Sequence, residues 1–402
     1  MANRLNILFI NEFFHPDICA SAVVATDHLT KIARMRPDWR VSVISGNRAW
    51  DDSDRIYPER EDFEGIQILR VPRPALNRRS LLMRAAGFAA FGRGAVRAAA
   101  GLGPVDVVIG TTAPPQGGKI AATIARQKGC PYIYKVLDLY PDLAATLGRT
   151  REGSFIYRRW WNADERVMQG AAAVVTISAP ISQRVVATRN VDAARVHTIH
   201  DGYDAARLKR SEPNEFAKRH NPEGKFVVQY AGNMGLSHPF ETILEVARRM
   251  QADPKLLFQF IGEGPRRSAV SDGLPVNARL LPFEPADQLG ALLAAADVCL
   301  ITQDEAMFDQ ALPYKIYSIL AAGKAAIFVG NPRSEIAQWL IESGAGLVVR
   351  QGDAGALEAG IRQFRDSGVR IAAGQASRRL FESRFSSENA IRGWIGLLES
   401  AR

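Results

Sequence analysis

The sequence has little cysteine and none of the usual signatures of metal or covalent chemistry. Its three cysteines among 402 residues, Cys19, Cys130 and Cys299, are odd in number, far apart and outside any CxxC or Cys/His cluster. That pattern supports neither a disulfide framework nor a structural zinc site, and it suits a reducing cytosol. There is no Gly-x-Ser-x-Gly elbow, Walker A loop or His-Glu-x-x-His helix. The acidic run Asp51-Asp52-Ser53-Asp54 reads as a solvated turn, so no metal and no cofactor is expected. No apolar run approaches the ~20 residues of a membrane span, and Leu5–Ile10 is too short for the core of a signal peptide. Low-complexity tracts and short-period repeats are also missing. One region lacks negative charge altogether: between Glu64 and Asp106 stand Arg70, Arg73, Arg78, Arg79, Arg84, Arg93 and Arg97 without a single acid. The net charge of +9 arises wholly in the first 200 residues, which hold 27 Lys+Arg against 18 Asp+Glu, whereas the rest is balanced at 24 of each. Such a patch attracts anions, whether phospholipid, nucleic acid or a phosphorylated substrate.

What is present is a long alternation of apolar runs and helical patterns. In the first half the runs are Leu5–Ile10, Val41–Ser45, Ile66–Val71, Val105–Gly110, Tyr132–Leu137, Ala173–Ile177 and Val196–Ile199. Near-continuous apolar runs spaced by helices indicate βαβ units in a mostly parallel sheet buried on both faces. A second series follows: Phe226–Ala231, Leu256–Ile261, Arg279–Leu281, Asp297–Thr302, Ala325–Val329 and Gly346–Val349. The reading is α/β, with two Rossmann-like units and a hinge at His200–Asp204. Residues 1–204 form the first domain, 205–380 the second, and a C-terminal helix within 381–402 returns to the first.

Four stretches could carry chemistry. The first strand of the second unit runs into Gly232-Asn233-Met234-Gly235 and the next into Gly262-Glu263-Gly264, turns that let a diphosphate approach the backbone or merely turn the chain. The full dinucleotide fingerprint is lacking. His238 follows the first turn closely and could face the same ligand, whereas His28, mid-helix, reads as structural. In Gln310–Gly323, Pro313 suits a first helical position, Ile316, Ile319 and Leu320 share a face, and Gly323 ends the helix. The amides of Tyr314 and Lys315 with the Lys315 side chain suit a phosphate, although the stretch also reads as an ordinary buried helix. Asp138-Leu139-Tyr140-Pro141-Asp142 sets a carboxylate at the carboxyl end of a strand, as a functional group or as a turn and cap.

In order and spacing, these stretches, together with Phe14-His15-Pro16, Asp201-Gly202-Tyr203-Asp204 and Ile261–Pro265, resemble the glycosyltransferase family 4 group over nearly the whole chain. The resemblance implies the GT-B fold, two facing Rossmann-like domains with a central cleft, and sugar transfer from a nucleotide-sugar donor, a UDP-sugar, with retention and without metal. It implies that Gly232, Asn233 and Gly235 line the diphosphate, that Leu281, Pro282 and Phe283 present backbone groups to the base, and that the helix start from Leu312 to Lys315 holds the distal phosphate. Asp138 would orient or deprotonate the acceptor hydroxyl. Two glutamates usual in the family fall at Gln310 and Ser318 here, and its Arg/Lys clamp falls at Asn233 and roughly His238. Gln310 can still bond sugar hydroxyls, while Lys315, supported by Arg266 or Arg267, is the candidate cation. An epimerase of the same fold or a non-catalytic sugar-nucleotide-binding subunit are the competing readings.

The expected acceptor is a glycan or a lipid-linked glycan. Arg78, Arg79 and Arg84, with Leu81, Leu82, Phe88 and Phe91, have the composition of a helix lying in an anionic interface. Phe155–Trp161 repeats it, with Trp160 and Trp161 suited to headgroup depth. A peripheral position on the cytoplasmic face of the membrane is therefore expected. Nucleic acid is not, because no recognised binding motif accompanies the charge.

Overall fold

A computed structural model describes residues 4–73, 81–209 and 214–400. The chain divides into two units, one running up to Asp201 and resuming at Ser387, the other spanning Gly202–Ser386.

The first unit holds, among the described residues, eight strands: β1 (Asn6–Ile10), β2 (Arg40–Gly46), β3 (Arg60–Phe63), β4 (Ile66–Val71), β5 (Val107–Thr111), β6 (Tyr132–Val136), β7 (Ala173–Thr176) and β8 (Val196–Thr198). Their order is β3-β4-β2-β1-β5-β6-β7-β8, all parallel except the β3–β4 pair. The central register sets Phe9 beside both Val43 and Ile109. One cluster joins β1, β2 and β4 to helix α1 (Ala20–Met35) through Leu29 and Ile32, and to the C-terminal helix Ser387–Ser400 through Ile391 and Trp394. Another joins Leu8, Ile10 and Val108 to α2 (Leu81–Ala100) and α3 (Gly117–Lys128). Apolar side chains thus leave both faces of the strands, which is why these strands read as unbroken apolar runs. The sequence reading missed β3. Its residues Arg-Glu-Asp-Phe carry no apolar run, as befits an exposed edge strand guarded by charge.

The second unit has six described parallel strands: β9 (Phe226–Ala231), β10 (Leu256–Ile261), β11 (Ala278–Leu281), β12 (Val298–Thr302), β13 (Ala325–Val329) and β14 (Gly346–Val349). Their order is β11-β10-β9-β12-β13-β14. The helix of the central stretch spans Lys315–Ala321, beginning two residues after Pro313 rather than at it. Residues 313–317 are instead linked by short-range bonds from Ile316 N–H to Pro313 O and from Tyr317 N–H to Tyr314 O. Gly323, at φ 64°, ends the segment. Ile316, Tyr317, Ile319 and Leu320 are buried, and Phe385 packs between Tyr317 (5.5 Å) and Trp339 (4.2 Å). Each such side chain contributes about 1.5–3 kcal/mol on burial, so this short helix is fixed by packing rather than by its own length.

Candidate functional site

In the second unit the glycine turns are bonded to one another. Gly232 N–H donates to Ile261 O, Met234 N–H to Glu263 O, and Arg266 N–H to Met234 O. A Cβ on Gly262 would lie 2.0 Å from Gly232 O, and one on Gly264 would lie 2.5 Å from Met234 O. Both glycines are therefore packing requirements of the turn above them, a role distinct from ligand approach. Gly232 itself sits at φ 129°, and a Cβ there would meet Lys315 Cε and Nζ at 3.3 Å.

Lys315 is the centre of this arrangement. Its Nζ lies 3.4 Å from the centroid of the Tyr230 ring and is shielded from solvent, with no hydrogen-bond partner among the described residues. Burial drives the ammonium well below the ordinary lysine range. His238 completes the group: its Nδ1 lies 2.8 Å from Thr302 O, its ring packs edge-on to Tyr230, and burial together with the Lys315 charge lowers its pKa to about 3. The imidazole is neutral at physiological pH and pays no like-charge penalty beside the lysine. The Tyr230 hydroxyl donates to Asn233 O at 2.7 Å. Gly232, Asn233, Gly235, His238 and Lys315 are therefore brought together, and Tyr230, which sequence reasoning missed, supplies the floor.

Several expected donor-side residues are occupied elsewhere. Arg266 pairs with Glu241, and Arg267 with Glu263 at 3.0 Å, so neither is the free supporting cation expected. Ser318 Oγ donates to Lys315 O at 3.0 Å, and Gln310 Nε2 to Ala306 O at 3.0 Å, both within a buried segment. Leu312 packs on the core. Pro282 and Phe283 are exposed, with the Phe283 ring close beside Gly262.

In the first unit the polar groups at the carboxyl ends of the strands are mostly satisfied. After β1, Glu12 is buried against Arg73 at 3.1 Å, and Asp17 accepts from Tyr57 Oη and Trp50 N–H. After β6, Asp142 begins α4 (Asp142–Thr146) and pairs with Arg184 at 2.7 Å and with Arg189, both on α6 (Ala179–Arg189). Arg189 is fully buried: it also reaches Asp164 at 3.4 Å, donates to Tyr140 O, and lies 3.3 Å from the Trp161 ring centroid. Asp164, which also accepts from Tyr134 Oη, is pushed up to about 7 by burial. Asp142 thus has the structural role, whereas the Asp138 carboxyl has no partner among the described residues and is raised to about 6 by burial alone.

The basic stretch is also different from its sequence reading. Arg70 and Arg73 are buried, Arg70 pairing with Glu61 at 2.6 Å and Arg73 with Glu12, and Phe91 is wholly inside the core. Arg78 and Arg79 lie outside the described residues, as does the Arg84 side chain. Trp160 stacks on Tyr140 at 5.4 Å and Trp161 on Arg189, both half-buried, so these rings pack inward rather than toward headgroups.

Comparison with known proteins gives the lineage. Residues 23–202 match the family model described as glycosyl transferase 4-like domain, and residues 211–379 that of glycosyl transferases group 1. The chain belongs to the family 4 glycosyltransferases. Among curated family relatives, glycosyl transferase WcaI of Escherichia coli strain K12, named for colanic acid biosynthesis, is 34% identical over 149 residues, 35% of this chain and 36% of that one. The probable glycosyltransferase WbjE of Pseudomonas aeruginosa is 28% identical over 251 residues, 60% of this chain and 61% of that one. The matches thus span less than two thirds of either relative. Among solved structures, HepE of Anabaena, in complex with UDP-glucose, superposes with a TM-score of 0.71 over 98% of this chain and 100% of that one, at 14% identity. The fold is accordingly GT-B.

Proposed function

We propose that this protein is a retaining, metal-independent glycosyltransferase that moves a sugar from a UDP-sugar to a glycan or lipid-linked acceptor in bacterial cell-surface glycan biosynthesis, working at the cytoplasmic face. The observation that carries the reading is the unpartnered Lys315 Nζ against the Gly232 turn. A buried ammonium with no counter-charge costs several kcal/mol, and a diphosphate seated on that turn would supply the missing charge. Family membership and the fold shared with a UDP-glucose-bound structure support the same donor.

In this mechanism the bond between the anomeric carbon and the diphosphate oxygen breaks, and negative charge grows on the leaving phosphate. Lys315 stabilises that charge; preorganised donors of this kind are commonly worth about 10²–10³ in rate. The acceptor oxygen forms the new bond, and its proton passes to Asp138 or to the departing phosphate. Asp138, raised to about 6, is a carboxylate at neutral pH yet a better base than an exposed aspartate. Gly232, Asn233 and Gly235 line the diphosphate, His238 fixes the wall beside it, and Gln310 and Ser318 border the sugar and ribose.

One observation favours a second reading. Gln310 and Ser318, standing where the family's glutamates are usual, both donate to backbone carbonyls, which suits a sugar-nucleotide-binding subunit without transfer. Titration calorimetry with UDP, beside UDP-sugar turnover with and without acceptor, separates the two: binding and turnover support a transferase, binding alone the subunit. Failure to bind UDP would remove both.

A further inference from the structure

Helix α5 (Phe155–Gly170) directs Tyr157, Asp164 and Met168 into the first unit and half-buries Trp160 and Trp161. Its first turn shows the opposite character. Phe155 and Ile156 are 79% and 69% exposed, Phe155 more than any other large aromatic among the described residues. Arg149 and Arg151 before them and Arg158 and Arg159 after them are all exposed, and Glu152 is the one acid between Leu147 and Ala163. This corner is ordered: Ser154 Oγ caps Tyr157 N–H, Ser154 N–H donates to Arg151 O, and Arg158 Nε donates to Gly153 O at 2.7 Å. Two large apolar side chains are held in water, flanked in the chain by four exposed arginines and the single exposed Glu152.

We propose that this corner seats the protein on an anionic lipid surface. An exposed apolar tip with a net excess of exposed arginines on both sides of it in the chain matches a bilayer interface, where the tip enters the acyl boundary and the arginines meet headgroup phosphates. No described helix is long and apolar enough to cross a membrane, so attachment here is peripheral. The corner is joined to the acceptor side of the same unit, because Trp160 of α5 stacks on Tyr140, two residues beyond Asp138. A saccharide carried on a lipid would thus be presented near Asp138 from the surface on which the protein rests. This last point depends on Asp138 serving the acceptor; the lipid contact itself does not.

The test is flotation of the full chain with vesicles of phosphatidylglycerol and phosphatidylcholine, or of phosphatidylcholine alone, at low and high salt. The expected result is salt-sensitive binding to the anionic vesicles only, weakened about ten-fold or more by Phe155→Ser with Ile156→Ser, and likewise by Arg→Gln at 149, 151, 158 and 159 together. UDP affinity, measured alongside, should be unchanged in both variants, and a wild-type circular-dichroism spectrum and melting temperature show that they fold. Absence of binding at low salt, equal binding to neutral vesicles, or binding that survives both variants overturns the proposal. So does loss confined to Arg78→Gln, Arg79→Gln and Arg84→Gln, which would move the contact elsewhere, or loss of self-association in its place, which would make the corner a protein interface. Vesicle binding by a wild type that ignores UDP would leave this inference standing while removing the donor reading.

Discussion

The strand ends of the two units are opposites in charge accounting. In the first, acids and bases beyond β1 and β6 are paired with one another, Glu12 with Arg73 and Asp142 with Arg184 and Arg189, leaving only the Asp138 carboxyl without a partner there among the described residues. In the second, the arginines near the glycine turns are taken by Glu241 and Glu263, and the cation left without a hydrogen-bond partner there among the described residues is Lys315. Pairing removes a charge from consideration as a ligand group, because its partner must be displaced first. The unpaired carboxylate and the unpaired ammonium are therefore the groups on which the proposed roles rest, a base on one unit and an anion seat on the other.

The largest expected effect comes from removing the cation. Lys315→Met should weaken UDP binding about 10²-fold by calorimetry, since a charge-assisted contact to a desolvated phosphate is lost. The same variant should raise the melting temperature of the free protein, because an uncompensated ammonium leaves the interior. Ser318→Ala should change UDP affinity less than three-fold, about 0.6 kcal/mol, its hydroxyl being spent on Lys315 O. Equal UDP affinity for wild type and Lys315→Met would collapse the contrast between the units.

Removing the carboxylate should act on rate instead. Asp138→Asn is expected to lower transfer about 10²-fold or more while leaving UDP affinity unaltered. Stability should move the other way. The folded pKa of about 6 lies above the ordinary aspartate value of 3.8, so the folded state holds its proton more tightly and loses stability as pH rises between these values. The Asn variant should then gain about 1–2 kcal/mol at pH 7, less than the full shift implies because part of Asp138 still meets solvent. An Asp138→Asn protein that transfers normally would make this aspartate a turn residue.

Gly232→Ala tests the seat itself. The residue holds φ 129°, and the new Cβ would press on Lys315 Cε and Nζ at 3.3 Å, for a cost of about 1–3 kcal/mol. UDP affinity should fall about ten-fold, less than for Lys315→Met, by displacing the cation without deleting it. A Gly232→Ala protein as stable and as tightly binding as wild type would detach the turn from the site.

Much of this contrast was legible in the residues, and what was not has a common cause. Strand runs, glycine turns and the lysine after Pro313 are local signals, and the structure has β9, β10, β13 and β14 at the residues their apolar runs mark. Pairing is not local. Arg70 and Arg73 stand in an acid-free window, yet their partners Glu61 and Glu12 lie just before it and across the sheet, so a windowed charge count includes two interior ion pairs beside the exposed Arg93 and Arg97. Trp160 and Trp161 were misread for the same reason, their partners being a loop tyrosine and Arg189. Asp164 gave no signal because its environment comes from β6 and α6 together.

The smallest expected effect is also the most specific to Lys315. Free, the lysine titrates well below 10.5 because burial penalises its charged form, and the neighbours on the strand and turn beside it, Tyr230 and the neutral His238, offer no negative charge. A bound diphosphate supplies that charge and raises the pKa in the complex, so UDP binding takes up a proton wherever the free lysine is neutral. Affinity is then greatest below the free-state pKa and declines as pH rises toward the complex value, by at most about ten-fold per pH unit. Calorimetry in buffers of different ionisation enthalpy would read this uptake directly as a fraction of a proton per UDP. His238, with a pKa of about 3, adds no slope near neutrality. Lys315→Met should therefore abolish the uptake and flatten the profile above the free lysine's pKa, and a slope that persists in that variant would assign the proton to another group.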